Sequence, residues 1–173
     1  MAKIKPLKSC PLFKDLEDRE LAIFAQIVKE LTYKKGDSLS SADQGFILVK
    51  KGSLRVEVLT PSNQNKDSLP KEYQSEIIKA GDFMGEFSLI TGQGMEAEKV
   101  SLKIFASENS EILQISPDQF FSLAMQEPVV CFKVVQSLGR SMQQRILKHQ
   151  KLMKRLMDDF PSSFLGNEAN LAC

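Results

Sequence analysis

The run Phe46-Ile47-Leu48-Val49, closed by Lys51-Gly52-Ser53 and followed by Leu54-Arg55-Val56-Glu57-Val58, constrains this chain most. An uninterrupted apolar run that ends in a turn marks a buried strand. The strict alternation after the glycine marks a second strand, with one face in a core and one in water. Further strand signals lie on both sides: Thr32-Tyr33 before a Lys35-Gly36-Asp37 turn, Glu76-Ile77-Ile78-Lys79 before Gly81-Asp82, Val100–Ala106, and Glu111–Ile115. Between them, Thr60–Pro70 is polar and holds two prolines, the pattern of an exposed hairpin loop, and Thr91–Glu96 is expected as a mobile loop.

Helical signals flank this middle. Residues Met1–Ser9 are basic and expected to be loose. From Pro11-Leu12-Phe13, apolar residues recur at near-helical spacing through Leu16, Leu21, Phe24, Ile27, Val28 and Leu31, with Asp15 or Asp18 as cap and an end near Glu30. Ser116-Pro117-Asp118-Gln119 has a capping residue and then proline at the first helical position, opening a short helix through Phe120, Phe121, Leu123 and Ala124. Pro128 begins a long helix to about Met157. Val135, Leu138, Met142, Arg145 or Ile146, His149, Leu152 or Met153, and Leu156 step along it by three and four, as in a coiled coil. At ~1.5 Å per residue it spans about 43 Å, more than a small barrel covers, so its excess is expected to pack on a second copy.

The sum is an α+β chain: an antiparallel, jelly-roll-like β-roll with N-terminal helices and a long C-terminal helix. The expected division is a flexible 1–9, a roll domain over 10–127, the helix over 128–157 and a tail over 158–173. With 23 basic and 22 acidic side chains, the chain has no overall pull toward nucleic acid or membranes. No apolar run reaches membrane-spanning length, and no apolar segment follows the N-terminal lysines, so neither a membrane helix nor a secretory signal is expected. Cys10, Cys131 and Cys173 lie far apart without metal-ligand spacing, as reduced thiols in a cytoplasmic protein do. The single histidine, His149, has no acid near it in sequence, and no nucleophile–base set or P-loop spacing is present. An enzyme is not expected, nor any catalytic or metal-binding residue.

The candidate site is Lys79–Ile90, where two glycine–acid pairs, Gly81-Asp82 and Gly85-Glu86, interrupt an apolar run. A helix start held by a glycine presents backbone N–H groups to an anion, and a neighbouring carboxylate accepts from a hydroxyl; a phosphate beside a ribose would satisfy both. Taken alone, glycine–acid pairs also make ordinary turns. Taken together, Pro11-Leu12-Phe13, Gly36-Asp37, Phe46-Ile47-Leu48-Val49-x-x-Gly52-x-Leu54-x-Val56 and Gly81-Asp82-x-x-Gly85-Glu86-x-Ser88-Leu89 resemble the cyclic nucleotide-binding domain of catabolite activator proteins and protein kinase A regulatory subunits. The resemblance runs from about Cys10 to Met157.

That resemblance implies a phosphate-binding cassette starting at Gly85. Glu86 would hold the ribose 2′-hydroxyl, and amides near Phe87, Ser88 and Leu89 would face the cyclic phosphate. The family's cassette closes on an arginine paired with that phosphate. In this chain the closing motif reads Lys99-Val100-Ser101-Leu102, with valine at the arginine position. Losing such a charge-assisted contact costs about 1.5–3 kcal/mol, or about ten- to a hundredfold in affinity. The expectation is a regulatory sensor for cAMP or cGMP whose binding is weak or whose ligand is atypical. The alternative is an interaction and dimerisation module that kept the fold without the nucleotide. Both place a homodimer on the long helix and act on an unidentified protein partner. Arg140, Ser141, Gln144 and Arg145 could contact a base, or line the solvated face or the seam. Arg140, Arg145, Lys148, Lys151, Lys154 and Arg155 form an acid-free basic helix, the usual composition of a solvated face and also one that suits an acidic partner or nucleic acid. About sixteen residues follow Met157, too few for a helix-turn-helix, so direct DNA binding is not expected.

Overall fold

The computed structural model describes residues 3–39, 45–59, 73–91 and 101–159. Two helices, α1 (Ile4–Ser9) and α2 (Asp18–Ile27), precede β1 (Lys29–Tyr33), β2 (Phe46–Lys51), β3 (Ser53–Leu59), β4 (Tyr73–Lys79) and β5 (Phe83–Met84). Then come α3 (Ser88–Thr91), β6 (Ser101–Ala106), β7 (Ser110–Ile115), α4 (Pro117–Gln126) and α5 (Pro128–Asp159). All strand pairings are antiparallel, in one sheet of order β1-β7-β2-β5 and one of order β4-β3-β6. The chain forms two compact units, residues 1–137 and 138–173. The first holds the roll and its helices; the described part of the second is the remainder of α5.

The apolar run in β2 is explained by its two covered faces. Ile47 and Val49 point into the roll, where Leu54 and Val56 of β3, Ile78 of β4, Ile104 of β6 and Ile112 of β7 meet them. Phe46 and Leu48 point the other way and are equally buried. The Phe46 ring lies edge-on to Phe13 at 5.6 Å, Phe13 contacts Phe24 at 5.2 Å, and Phe24 reaches Phe120 of α4 at 6.2 Å. Burying each such aromatic ring is worth about 2–3 kcal/mol. In β3 the alternation holds: Leu54 and Val56 are buried, while Arg55 and Glu57 pair outside at 3.1 Å.

Two N-terminal expectations differ from the structure. Residues Ile4–Ser9, expected loose, form α1 because Leu7 is fully buried and anchors the turn. The helix expected from Leu12 does not start there. Pro11–Asp15 is a run of turns, with the Phe13 N–H on the Cys10 carbonyl and the Leu16 N–H on the Phe13 carbonyl. The cap is neither Asp15 nor Asp18 but Glu17, in a capping box with Glu20, whose carboxylate accepts the Glu17 N–H at 2.9 Å. The helix ends at Ile27 because Lys29 onward pairs with β7. Elsewhere local rules suffice. Ser116 caps α4 with Gln119 as its box partner, Pro117 opens the helix, and α5 starts at Pro128. The Thr60–Pro70 loop and all but the first residue of Thr91–Glu96 lie outside the described residues.

Candidate functional site

β5 delivers the cassette. Its two residues pair with β2, Met84 opposite Ile47 and Phe83 opposite Leu48. Just before it, Gly81 turns the chain at φ 93°; its N–H donates to the Val49 carbonyl at 2.8 Å, and the Asp82 carboxylate accepts the Lys79 N–H at 3.2 Å. Just after it, Gly85 takes φ 73° with its backbone pressed on the entry to β2: a Cβ there would stand 1.9 Å from the Gly45 carbonyl oxygen. Only glycine fits such an approach.

From Gly85 the side chains sort sharply. Glu86, Ser88 and Leu89 are buried at 4 %, 2 % and 1 % exposure, while Phe87 and Ile90 face solvent. The Ser88 hydroxyl donates to the Gly85 carbonyl at 2.7 Å. The Ser88 N–H reaches the same carbonyl at 3.0 Å, and the Leu89 N–H reaches the Glu86 carbonyl at 3.2 Å. Of the amides expected near a phosphate, those of Ser88 and Leu89 thus close the cassette turn itself, and that of Phe87 has no hydrogen-bond partner among the described residues. α3 packs against α4, which joins the cassette to the start of the C-terminal helices.

Cys10 stands close to this carboxylate. Burial pushes its thiol up to about 12, and the charge of Glu86 adds in the same direction, against backbone hydrogen bonds from Leu12 and Phe13. The buried thiol and the carboxylate thus lie within electrostatic reach of each other, a relation that no spacing in the sequence announces. Of the closing motif, Ser101 and Leu102 begin β6 opposite Leu59 and Val58; Lys99 and Val100 lie outside the described residues. Among the described residues no group of three or more histidine, cysteine or acidic side chains is placed to hold a metal ion. None of the described helices is long and apolar enough to cross a membrane.

Other features lie apart from the cassette. In the first unit, Lys133 of α5 holds the buried Glu20 of α2 at 2.6 Å, which keeps that carboxyl below its usual range, and the Ser137 hydroxyl meets Asp15 at 3.2 Å. In the second unit, Leu138, expected in the seam, is instead buried at 1 % exposure, so the seam does not run the whole helix; Ile146, Leu152 and Met153 are exposed, as are His149 and the basic side chains Arg140, Arg145, Lys148, Lys151, Lys154 and Arg155.

No protein-family model matches the chain. Over 120 residues, 68 % of its length, it is 26 % identical to the cGMP-dependent protein kinase, isozyme 2 forms cD5/T2, of Drosophila melanogaster, and it spans 12 % of that kinase. Among solved structures, a cyclic nucleotide-binding domain from Methylobacillus flagellatus superposes with a TM-score of 0.62 at 20 % identity, over 92 % of this chain and 83 % of that one. The Thermus thermophilus catabolite activator protein gives 0.57 at 21 % identity, over 83 % of this chain and 63 % of that one. The chain has the fold of cyclic nucleotide-binding domains, an α+β β-roll with helices at both ends of the sequence.

Proposed function

We propose that the chain is a non-catalytic regulatory module that senses a cyclic nucleotide through the cassette Gly85–Leu89. Glu86 accepts the ribose hydroxyl, the amides of Phe87, Ser88 and Leu89 turn toward the cyclic phosphate, and Lys99–Leu102 close the site. The observation that carries this reading is the burial of Glu86, at 4 % exposure, beside a glycine that no other residue can replace. A carboxylate in an ordinary turn stays in water; this one is drawn inward at the position where the family resemblance places the ribose hydroxyl. Because the Ser88 and Leu89 amides bond within the turn, ligand entry must open or share those bonds. That change passes to α4, packed on α3, and on to the break at Glu127–Pro128 that separates α4 from α5.

Valine at position 100 favours a second reading, an interaction module that self-associates along α5 and binds no nucleotide. Calorimetric titration with cAMP, cGMP and cyclic dinucleotides to millimolar levels separates the two. Heat from wild type that Glu86→Ala abolishes supports the sensor; silence from every nucleotide, with no thermal shift, leaves the interaction module. Both readings place a second copy on the helix. Sedimentation of wild type against the double variant Ile146→Glu/Leu152→Glu, at two exposed positions of the helix, is expected to convert dimer to monomer, and a monomeric wild type ends that part.

A further inference from the structure

An apolar surface stays open in the first unit where α4 meets α5. Phe121 and Met125, four residues apart, share one face of α4. Val129 and Phe132, three apart, share one face of the first turns of α5. All four are exposed, Met125 at 86 %. Phe87 and Ile90, also exposed, belong to the cassette, whose α3 packs on α4. A large apolar side chain buries ~150–250 Å², so six of them about half open leave ~600 Å². Monomers rarely leave more than that in water, and a stable interface covers ~800 Å² on each partner. The rim is acidic. Asp118, one turn ahead of Phe121, and Glu127 at the junction are exposed, and Lys133 is spent on Glu20.

The chain also carries a surface of the opposite character. Ile146 and Met153, seven residues apart on α5, lie on one stripe with Leu152 beside them, all exposed. Lys148, Lys151, Lys154 and Arg155, exposed as well, flank that stripe. With Leu138 buried in its own chain, this stripe covers only about two turns, whereas a coiled coil needs about three heptads or more. Pairing stripe to stripe therefore leaves too little contact to hold two copies together.

We propose that the basic stripe of α5 in one copy docks on the acid-rimmed α4–α5 junction of a second copy. One continuous helix does not bend back on its own first turns, so the occupant is another chain. Under a two-fold axis the contact is made twice, each stripe on the other copy's junction. Apolar side chains fill the centre, and lysines meet Asp118 and Glu127 at the rim, which fixes the pairing more than it adds affinity. This rests on the self-association read above and not on nucleotide binding. Because α4 also carries α3, the docked helix lies against the element that would move with the cassette.

The test is sedimentation equilibrium on the full chain. Met125→Glu/Phe132→Glu, at two exposed positions, is expected to weaken dimerisation more than about tenfold although the basic stripe is untouched. Asp118→Lys/Glu127→Lys should weaken it less, and adding Lys148→Glu/Lys151→Glu to the same chain should restore it. A mixture of Met125→Glu/Phe132→Glu with Ile146→Glu/Leu152→Glu keeps one of the two contacts and should form mixed dimers tighter than either variant alone. A Met125→Glu/Phe132→Glu chain as dimeric as wild type overturns the inference and leaves a seam on α5. If the chain with all four charges reversed associates no better than Asp118→Lys/Glu127→Lys, the inference also falls, however the apolar variant folds. A monomeric wild type overturns this contact and the helix dimer together, and the nucleotide titrations then decide the sensor reading on their own.

Discussion

Gly81-Asp82 and Gly85-Glu86 are four residues apart and look alike in sequence, yet the molecule uses them differently. Both glycines take positive φ. A Cβ at Gly81 would meet open space, whereas at Gly85 it would run into the backbone of Gly45. Asp82 is exposed and spends its carboxylate on the Lys79 N–H of its own turn, as Asp37 does for Lys34. Glu86 is drawn inward. The first corner is turn chemistry, complete within four residues. The second is defined by what is pressed against it from elsewhere in the chain.

The contrast can be broken in order of expected effect. Gly85→Ala combines the strain of a positive φ with a clash against main chain that cannot step aside, and should lose about 3–4 kcal/mol of unfolding free energy in a urea titration. A variant as stable as wild type would mean the cassette is not seated on β2 as described. Next comes a buried acid with a structural task, as a standard for Glu86. Glu20 is held below the usual 4.5, first by its hydrogen bond from Lys133. A folded-state value below the unfolded one gives stability that is present above about pH 4.5 and fades as the pH falls through the folded value. Lys133→Met should therefore lose about 2 kcal/mol near neutral pH and flatten the acid limb of the stability profile. Equal slopes for variant and wild type between pH 5 and 3 would dissolve the pair. The smallest change is Gly81→Ala, where only the backbone conformation is unfavourable; it should cost about 1 kcal/mol and leave nucleotide titrations untouched. A loss at this corner as large as at Gly85 would erase the distinction between them.

What could be read in advance follows the reach of each interaction. The strands β2 and β3 with the Gly52 turn between them, the Ser116 capping box, the proline starts of α4 and α5 and the glycine turns all depend on residues within a few positions of one another, and the sequence carries them openly. The start of α2 at Asp18 and the existence of α1 depend on where Glu20 and Leu7 come to rest, which is tertiary information. The cassette is intermediate. Its residues are plain in sequence, but the seating of Gly85 on Gly45 joins positions forty apart and the approach of Cys10 to Glu86 joins positions seventy-six apart.

The burial of Cys10 has a practical consequence. A thiol held at about 12 exists almost entirely in its unreactive protonated form at neutral pH, so alkylating reagents modify it only slowly while it stays buried. Any motion that parts the N-terminal turns from the cassette both hydrates the sulfur and moves it away from Glu86, and each change favours the thiolate. The rate at which Cys10 is labelled in the folded protein therefore reports how often its buried surroundings become hydrated.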